Sequence, residues 1–132
     1  MSWRLLCICD SPAALLLYQS ILELAGFRVL AAPSLKHGLR ASDGIPLDCV
    51  VLDLRAEAGR LVRKIRLRRP GVPVLFVWLR TETWAQLYSQ VDMFITQDEA
   101  IEELPQRVEE LLHRRESETD NSRSRGTVLK RS

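Results

Sequence analysis

An excess of charge of either sign is lacking in this chain. Nineteen Lys and Arg stand against 17 Asp and Glu, a formal net charge of +2 that is too small to imply nucleic acid by itself. Aromatics make up 6% of residues and do not interleave with the basic ones, which further argues against nucleic acid as a partner. No apolar run is long enough to span a membrane. The start, Met-Ser-Trp-Arg-Leu-Leu, lacks the long apolar segment and small-residue cleavage site of a secretory leader, so a cytoplasmic protein is expected. Metal-ligating and thiol side chains are few as well. Cys-x-Cys has no second ligand pair, and only His37 and His113 remain, which argues against zinc. Cys7, Cys9 and Cys49 are an odd set inside apolar runs, as suits small buried side chains in a reducing compartment rather than a disulfide frame.

What the chain does have is apolar runs that end in acids. Leu5-Leu-Cys-Ile-Cys-Asp10 and Asp48-Cys-Val-Val-Leu-Asp53 do not alternate, as expected of strands covered on both faces in a parallel sheet flanked by helices. In open α/β sheets the ligand crevice lies outside the carboxyl ends of the strands. Asp10 and Asp53 are therefore expected on one functional rim. With 132 residues, 46% hydrophobic and 27% charged, the chain is long enough for one domain with a core and too short for two ordinary ones.

The first strand, about Arg4 to Cys9, leads to Asp10-Ser11-Pro12, where Ser11 caps a helix and Pro12 fits its first turn. Ala13, Leu16, Leu17, Ile21 and Leu24 form one helical stripe, and Gly26 ends it. Arg28 to Ala32 is a second strand, and Ser34 caps a short helix to about Ala41. After the third strand, ending at Asp53, a basic helix runs from Glu57 to Arg69 with Leu61, Val62 and Ile65 inward. Val74 to Trp78 is the fourth strand, Trp84 to Gln90 a short helix and Met93 to Thr96 the fifth strand. A last helix to about Arg115 turns Leu104, Val108, Leu111 and Leu112 inward, with Pro105 near its first turn. This gives one domain over 1–115, with a polar, disordered tail over 116–132. Strands alternating with helices argue for a doubly wound α/β fold, a three-layer α/β/α sandwich.

Over about Arg4 to Arg115 the chain resembles a response-regulator receiver domain, the flavodoxin-like module of two-component signalling. The resemblance is carried by Leu-Leu-Cys-Ile-Cys-Asp-Ser-Pro at the first strand, Glu23-Leu-Ala-Gly-Phe-Arg-Val-Leu30, Asp48-Cys-Val-Val-Leu-Asp53-Leu-Arg and Pro73-Val-Leu-Phe-Val. Asp92-Met-Phe-Ile-Thr-Gln, followed by Glu102-Glu-Leu-x-x-Arg-Val, completes it. It implies a five-stranded parallel sheet of order 2-1-3-4-5. It also implies that Asp53 takes a phosphoryl group from a partner kinase, with magnesium held by an acidic pair, a lysine anchoring the phosphoryl oxygens and a fourth-strand Ser or Thr reading the result. The chemistry needs such helpers, because an anionic nucleophile attacking an anionic phosphoryl group requires positive charge to neutralise both.

Against that pattern the chain departs at most helper positions. Cys9 replaces the first acid of the pair and leaves Asp10, Trp78 replaces the hydroxyl residue, Gln97 the lysine and Asp98 the proline after it. The segments after Asp53 and after Trp78 are also short. These changes predict a pseudo-receiver that is not an enzyme and acts through protein–protein contacts, with phosphorylation absent or inefficient. No cofactor is expected beyond a weak Mg2+ site at Asp10 and Asp53. Trp78 is expected to plug the vacated site and Phe94 to be fixed core. The alternative is a phosphorelay module that still uses Asp53. A third reading, a small-ligand or cofactor binder on the same scaffold, fares poorly: Arg55 stands where a dehalogenase-like phosphatase wants a second acid, and Cys9-Asp10-Ser11-Pro12 is poor material for a phosphate loop.

The third helix is basic (Arg60, Arg63, Lys64, Arg66, Arg68, Arg69) and the last is acidic (Asp98, Glu99, Glu102, Glu103, Glu109, Glu110). On opposite faces of the sheet they make a dipolar surface that favours steering of charged partners or head-to-tail self-association, a homodimer included. The resemblance implies a second contact face around the fifth strand, here Tyr88, Met93 and Phe94, and a histidine kinase or another signalling protein as partner.

Overall fold

The computed structural model describes residues 2–55, 58–78 and 90–131. The short helix expected from Trp84, and Tyr88 within it, lie outside these residues. The apolar runs form β1 (Arg4–Cys9), β2 (Arg28–Ala32), β3 (Cys49–Asp53), β4 (Val74–Trp78) and β5 (Met93–Thr96), paired in parallel in the order β2-β1-β3-β4-β5. Between and after them come α1 (Pro12–Leu24), α2 (Leu35–Ala41), α3 (Ala58–Arg68) and α4 (Gln97–Arg131).

Both faces of the sheet are covered, which is why β3 reads as an unbroken apolar run and is buried throughout. Side-chain alternation sends Cys7, Cys9, Cys49, Val51, Leu75 and Val77 to the layer of α1 and α4. Leu6, Ile8, Val50, Leu52 and Phe76 pack beneath α2 and α3. The flavodoxin-like three-layer sandwich and its strand order are as the sequence predicts, and the basic and acidic helices do lie on opposite faces. Among the described residues no helix is long and apolar enough to cross a membrane.

Two helices differ from expectation. In α1 the buried residues are Tyr18 and Leu22, with Ala14, Leu15 and Ile21 partly buried against the core. Leu16 and Leu24, on the apolar stripe read from the sequence, are 66% and 87% exposed. Apolar side chains occur on both faces of this helix, so hydrophobicity alone does not set its phase. In α4, helix begins directly after β5 because Thr96 and Glu99 form a capping box: Glu99 N donates to Thr96 Oγ1 at 3.2 Å and Thr96 N to Glu99 Oε1 at 3.0 Å. Pro105 therefore lies inside the helix, not in its first turn. Its missing N–H falls opposite the carbonyl of Ile101, on a residue open to solvent. The helix also continues past Arg115, to Arg131. The Arg114–Glu110 pair at i, i+4 bridges the turn that carries the last core leucine.

The starts of β4 and β5 are tied by polar contacts at the margin of the core. Asp92 Oδ2 accepts from Val74 N at 2.7 Å and from Arg66 Nη2 at 2.6 Å, and Arg66 also donates to the carbonyls of Val72 and Gln90. Asp92→Ala leaves the buried Val74 N–H without its acceptor, and is expected to cost about 1–3 kcal/mol. In urea unfolding the midpoint should fall while the slope stays unchanged.

Candidate functional site

Asp53 ends β3 with its side chain on the α1/α4 side of the sheet and is 2% exposed. Leu54 packs into the α2/α3 core, so in extended chain the next side chain, Arg55, returns to the side of Asp53. Arg55 Nη2 lies 2.6 Å from Asp53 Oδ1, and its Nη1 donates to the Val77 carbonyl at 3.3 Å. The second oxygen, Oδ2, accepts from the Tyr18 hydroxyl at 2.7 Å and from Gln97 Nε2 at 3.4 Å. The inward phase of α1 delivers Tyr18, and the Thr96–Glu99 cap places Gln97 at the first position of α4. Both carboxylate oxygens are thus engaged by the chain itself.

Asp10 stands on the same rim, as expected from the ends of β1 and β3. It is exposed, its N donates to the Asp53 carbonyl at 3.3 Å, and its Oδ2 accepts from Arg55 N at 3.2 Å. Cys9, in register with Asp53, is a buried thiol whose Sγ donates to the Ser11 carbonyl at 3.5 Å. Burial pushes the Cys9 thiol up to about 11 and Cys49 to about 12, and raises Cys7 as well. Burial thus favours the neutral thiol at all three positions, which lowers their nucleophilicity. Magnesium wants several hard oxygens in near-octahedral array. Here one oxygen of Asp10 accepts from Arg55 N, Asp53 is closed by donors and a thiol fills the third place, so the donor set is a poor match for that ion. Among the described residues no group of three His, Cys, Asp or Glu could hold a metal.

Burial raises the Asp53 carboxyl above its ordinary 3.8, while the Tyr18 hydrogen bond, Arg55 and Gln97 work in the opposite direction. Burial, then the bond to Asp53, raises the Tyr18 phenol, which keeps it a donor.

Trp78 does not plug this site. It is half-buried on the opposite face, edge-on to Phe94 with ring centroids 6.2 Å apart. Phe94 in turn meets Phe76 at 5.8 Å and is half-buried rather than sealed in the core. The group that fills the space beside Asp53 is the guanidinium of Arg55. Met93 packs toward the α1/α4 layer and Phe94 toward the other, so these two share an edge strand but not a side-chain face. Sequence reasoning missed Tyr18 and Arg55 as site residues. Asp-x-Arg at a strand end carried a readable signal for Arg55, whereas Tyr18 had none beyond the uncertain phase of α1.

No family model matches the chain. The sensor histidine kinase GacS of Pseudomonas protegens is 32% identical over 104 residues, covering 70% of this chain, which spans 11% of that protein's length. The response regulator receiver domain protein (CheY-like) of Methanospirillum hungatei superposes with a TM-score of 0.77 at 23% identity, over 89% of this chain and 99% of that one. A receiver domain from Clostridium thermocellum gives 0.75 at 19% identity, over 86% and 97%. These structures show a receiver fold, and with the kinase match they support a response-regulator receiver domain.

The raised Asp53 carboxyl fixes the sign of a pH effect. The folded state holds this proton more tightly than the unfolded chain, so the group's contribution is full below the unfolded pKa and is lost as pH rises through the folded one. Asp53→Asn should match the parent's stability in acid, near pH 3, and exceed it at pH 7, as read from thermal midpoints across that range. A variant less stable than the parent at neutral pH would contradict this.

Proposed function

We propose that this chain is an atypical response-regulator receiver that signals by binding other proteins, with phosphoryl transfer to Asp53 absent or inefficient. The observation that carries this reading is the engagement of both Asp53 oxygens by Arg55, Tyr18 and Gln97. In-line attack on a phosphoryl donor needs a free oxygen and positive charge to offset the equatorial oxygens. Freeing Oδ1 means detaching the guanidinium and leaving a buried anion without its counter-charge. Gln97 supplies only a neutral amide where the family's lysine stands. Trp78 occupies the reader's position on β4 but faces away from Asp53, so a phosphorylated Asp53 would also lack its usual hydroxyl contact.

On this reading the chain is a cytoplasmic binding module and not an enzyme. Its partner is a histidine kinase or another signalling protein, and Met93, Phe94 and Tyr88 belong to the contact edge. The likeness to part of a sensor histidine kinase supports the choice of pathway. Any Mg2+ bound at Asp10 and Asp53 is held weakly.

One observation favours a second reading, a relay module using Asp53. Arg55 brings a permanent positive charge to the acceptor, and the guanidinium could follow the phosphoryl oxygens after transfer. Incubation of the full chain with a small acyl phosphate and Mg2+, followed by intact-mass measurement, separates the two. The proposal expects no added phosphoryl group. Stoichiometric labelling that disappears in both Asp53→Asn and Arg55→Ala would establish the relay instead.

A further inference from the structure

We infer that the basic groove between α2 and α3 receives the outward acidic face of α4 from a second copy of this chain. The groove has a volume of about 920 Å³. Lys36 and Arg40 line its α2 wall at i, i+4, and Arg60, Lys64 and Arg68 line its α3 wall at i, i+4, i+8. Five cations therefore share the cleft with two acids, Asp10 and Asp43. Arg66 and Arg69 do not line the groove and instead bind Asp92 and backbone carbonyls. Between the two positive rows lie half-buried Leu39 and Leu61, and Leu67 is 82% exposed. An apolar strip flanked by cations is the surface that an acidic amphipathic helix fits.

The chain carries such a helix. The carboxylates of α4 divide into two sets. Glu99, Glu103 and Glu110 lie 3.3 to 3.5 Å from Arg107. Asp98, Glu102 and Glu109 are exposed, and no ion pair among the described residues engages them. Their spacing places them on one face with Pro105 and with Ile101, which is 53% exposed. That face is negative with an apolar centre, the complement of the groove. Groove and helix lie on opposite faces of the sheet, so one molecule cannot close the contact on itself and the pairing runs head to tail. Apolar contact supplies most of the affinity, because exposed ion pairs are individually weak, and the charges set orientation. The inference rests on these surfaces alone and is independent of whether Asp53 accepts a phosphoryl group.

Sedimentation velocity of the full chain over a concentration series tests it. The expected result is self-association that weakens as NaCl is raised. Lys36→Glu with Lys64→Glu, and separately Glu102→Lys with Glu109→Lys, should each raise the association Kd by about tenfold or more, with unchanged far-UV circular dichroism. Mixing the two variants, or placing all four substitutions in one chain, should restore association. A parent chain that stays monomeric throughout, association indifferent to either reversal, or a mixture that does not recover would overturn the inference. Binding of an acidic amphipathic peptide by a chain that stays monomeric would assign the groove to an outside partner and overturn it equally.

Discussion

Burying the Asp53 carboxylate is the constraint from which the rest of the rim follows. An anion at the end of a central strand, nearly sealed from water, requires counter-charge or hydrogen-bond donors for both oxygens. Arg55 supplies the charge to one, and Tyr18 with Gln97 supplies donors to the other. Even so, burial outweighs these partners and the carboxyl is held above its ordinary range. The clamp is therefore a compensation for a costly position rather than a strong source of stability. On the proposed reading it also bears on the chemistry, because a guanidinium paired with the resting carboxylate must leave it before that charge can meet a phosphoryl donor.

The two sides of the sheet separate the acid from the aromatic pair. Asp53 faces α1 and α4, while Trp78 and Phe94 face α2 and α3. In place of a hydroxyl that feels the phosphoryl group and an aromatic that follows it, the fourth and fifth strands present an edge-to-face aromatic pair. Such a pair packs by shape and ring quadrupole and has no hydrogen bond to gain or lose at the acid. The surface charge is divided in a similar way: Arg66 and Arg69 bind backbone carbonyls outside the α2/α3 groove, and on α4 Arg107 pairs with Glu99, Glu103 and Glu110 but not with Asp98, Glu102 or Glu109.

Much of this could be read in the amino-acid order. Non-alternating runs such as Cys49–Asp53 announce strands covered on both faces, Ser11 and Ser34 cap their helices as expected, and Asp10 and Asp53 reach one rim. The phase of α1 could not be read so, because leucines on both sides balance and the deciding contact, Tyr18 to Asp53, joins residues 35 apart. The start of α4 is legible in Thr96-Gln-Asp-Glu99, a capping box that sets Pro105 beyond the first turn. The substitution of Arg55 for Trp78 as the filler beside Asp53 depends on where each strand's alternation ends, a matter of one residue that composition does not encode.

The central claim is that Asp53 is already satisfied from within. It is tested most directly by titrating Mg2+ into the isotope-labelled full chain and following the backbone amides of Asp10, Asp53, Arg55 and Gln97 by NMR. The account predicts that these resonances stay in place through millimolar Mg2+ and begin to move saturably only when Arg55 is replaced by alanine. Saturable shifts at the same amides in the unaltered chain would show an open acid site and contradict it.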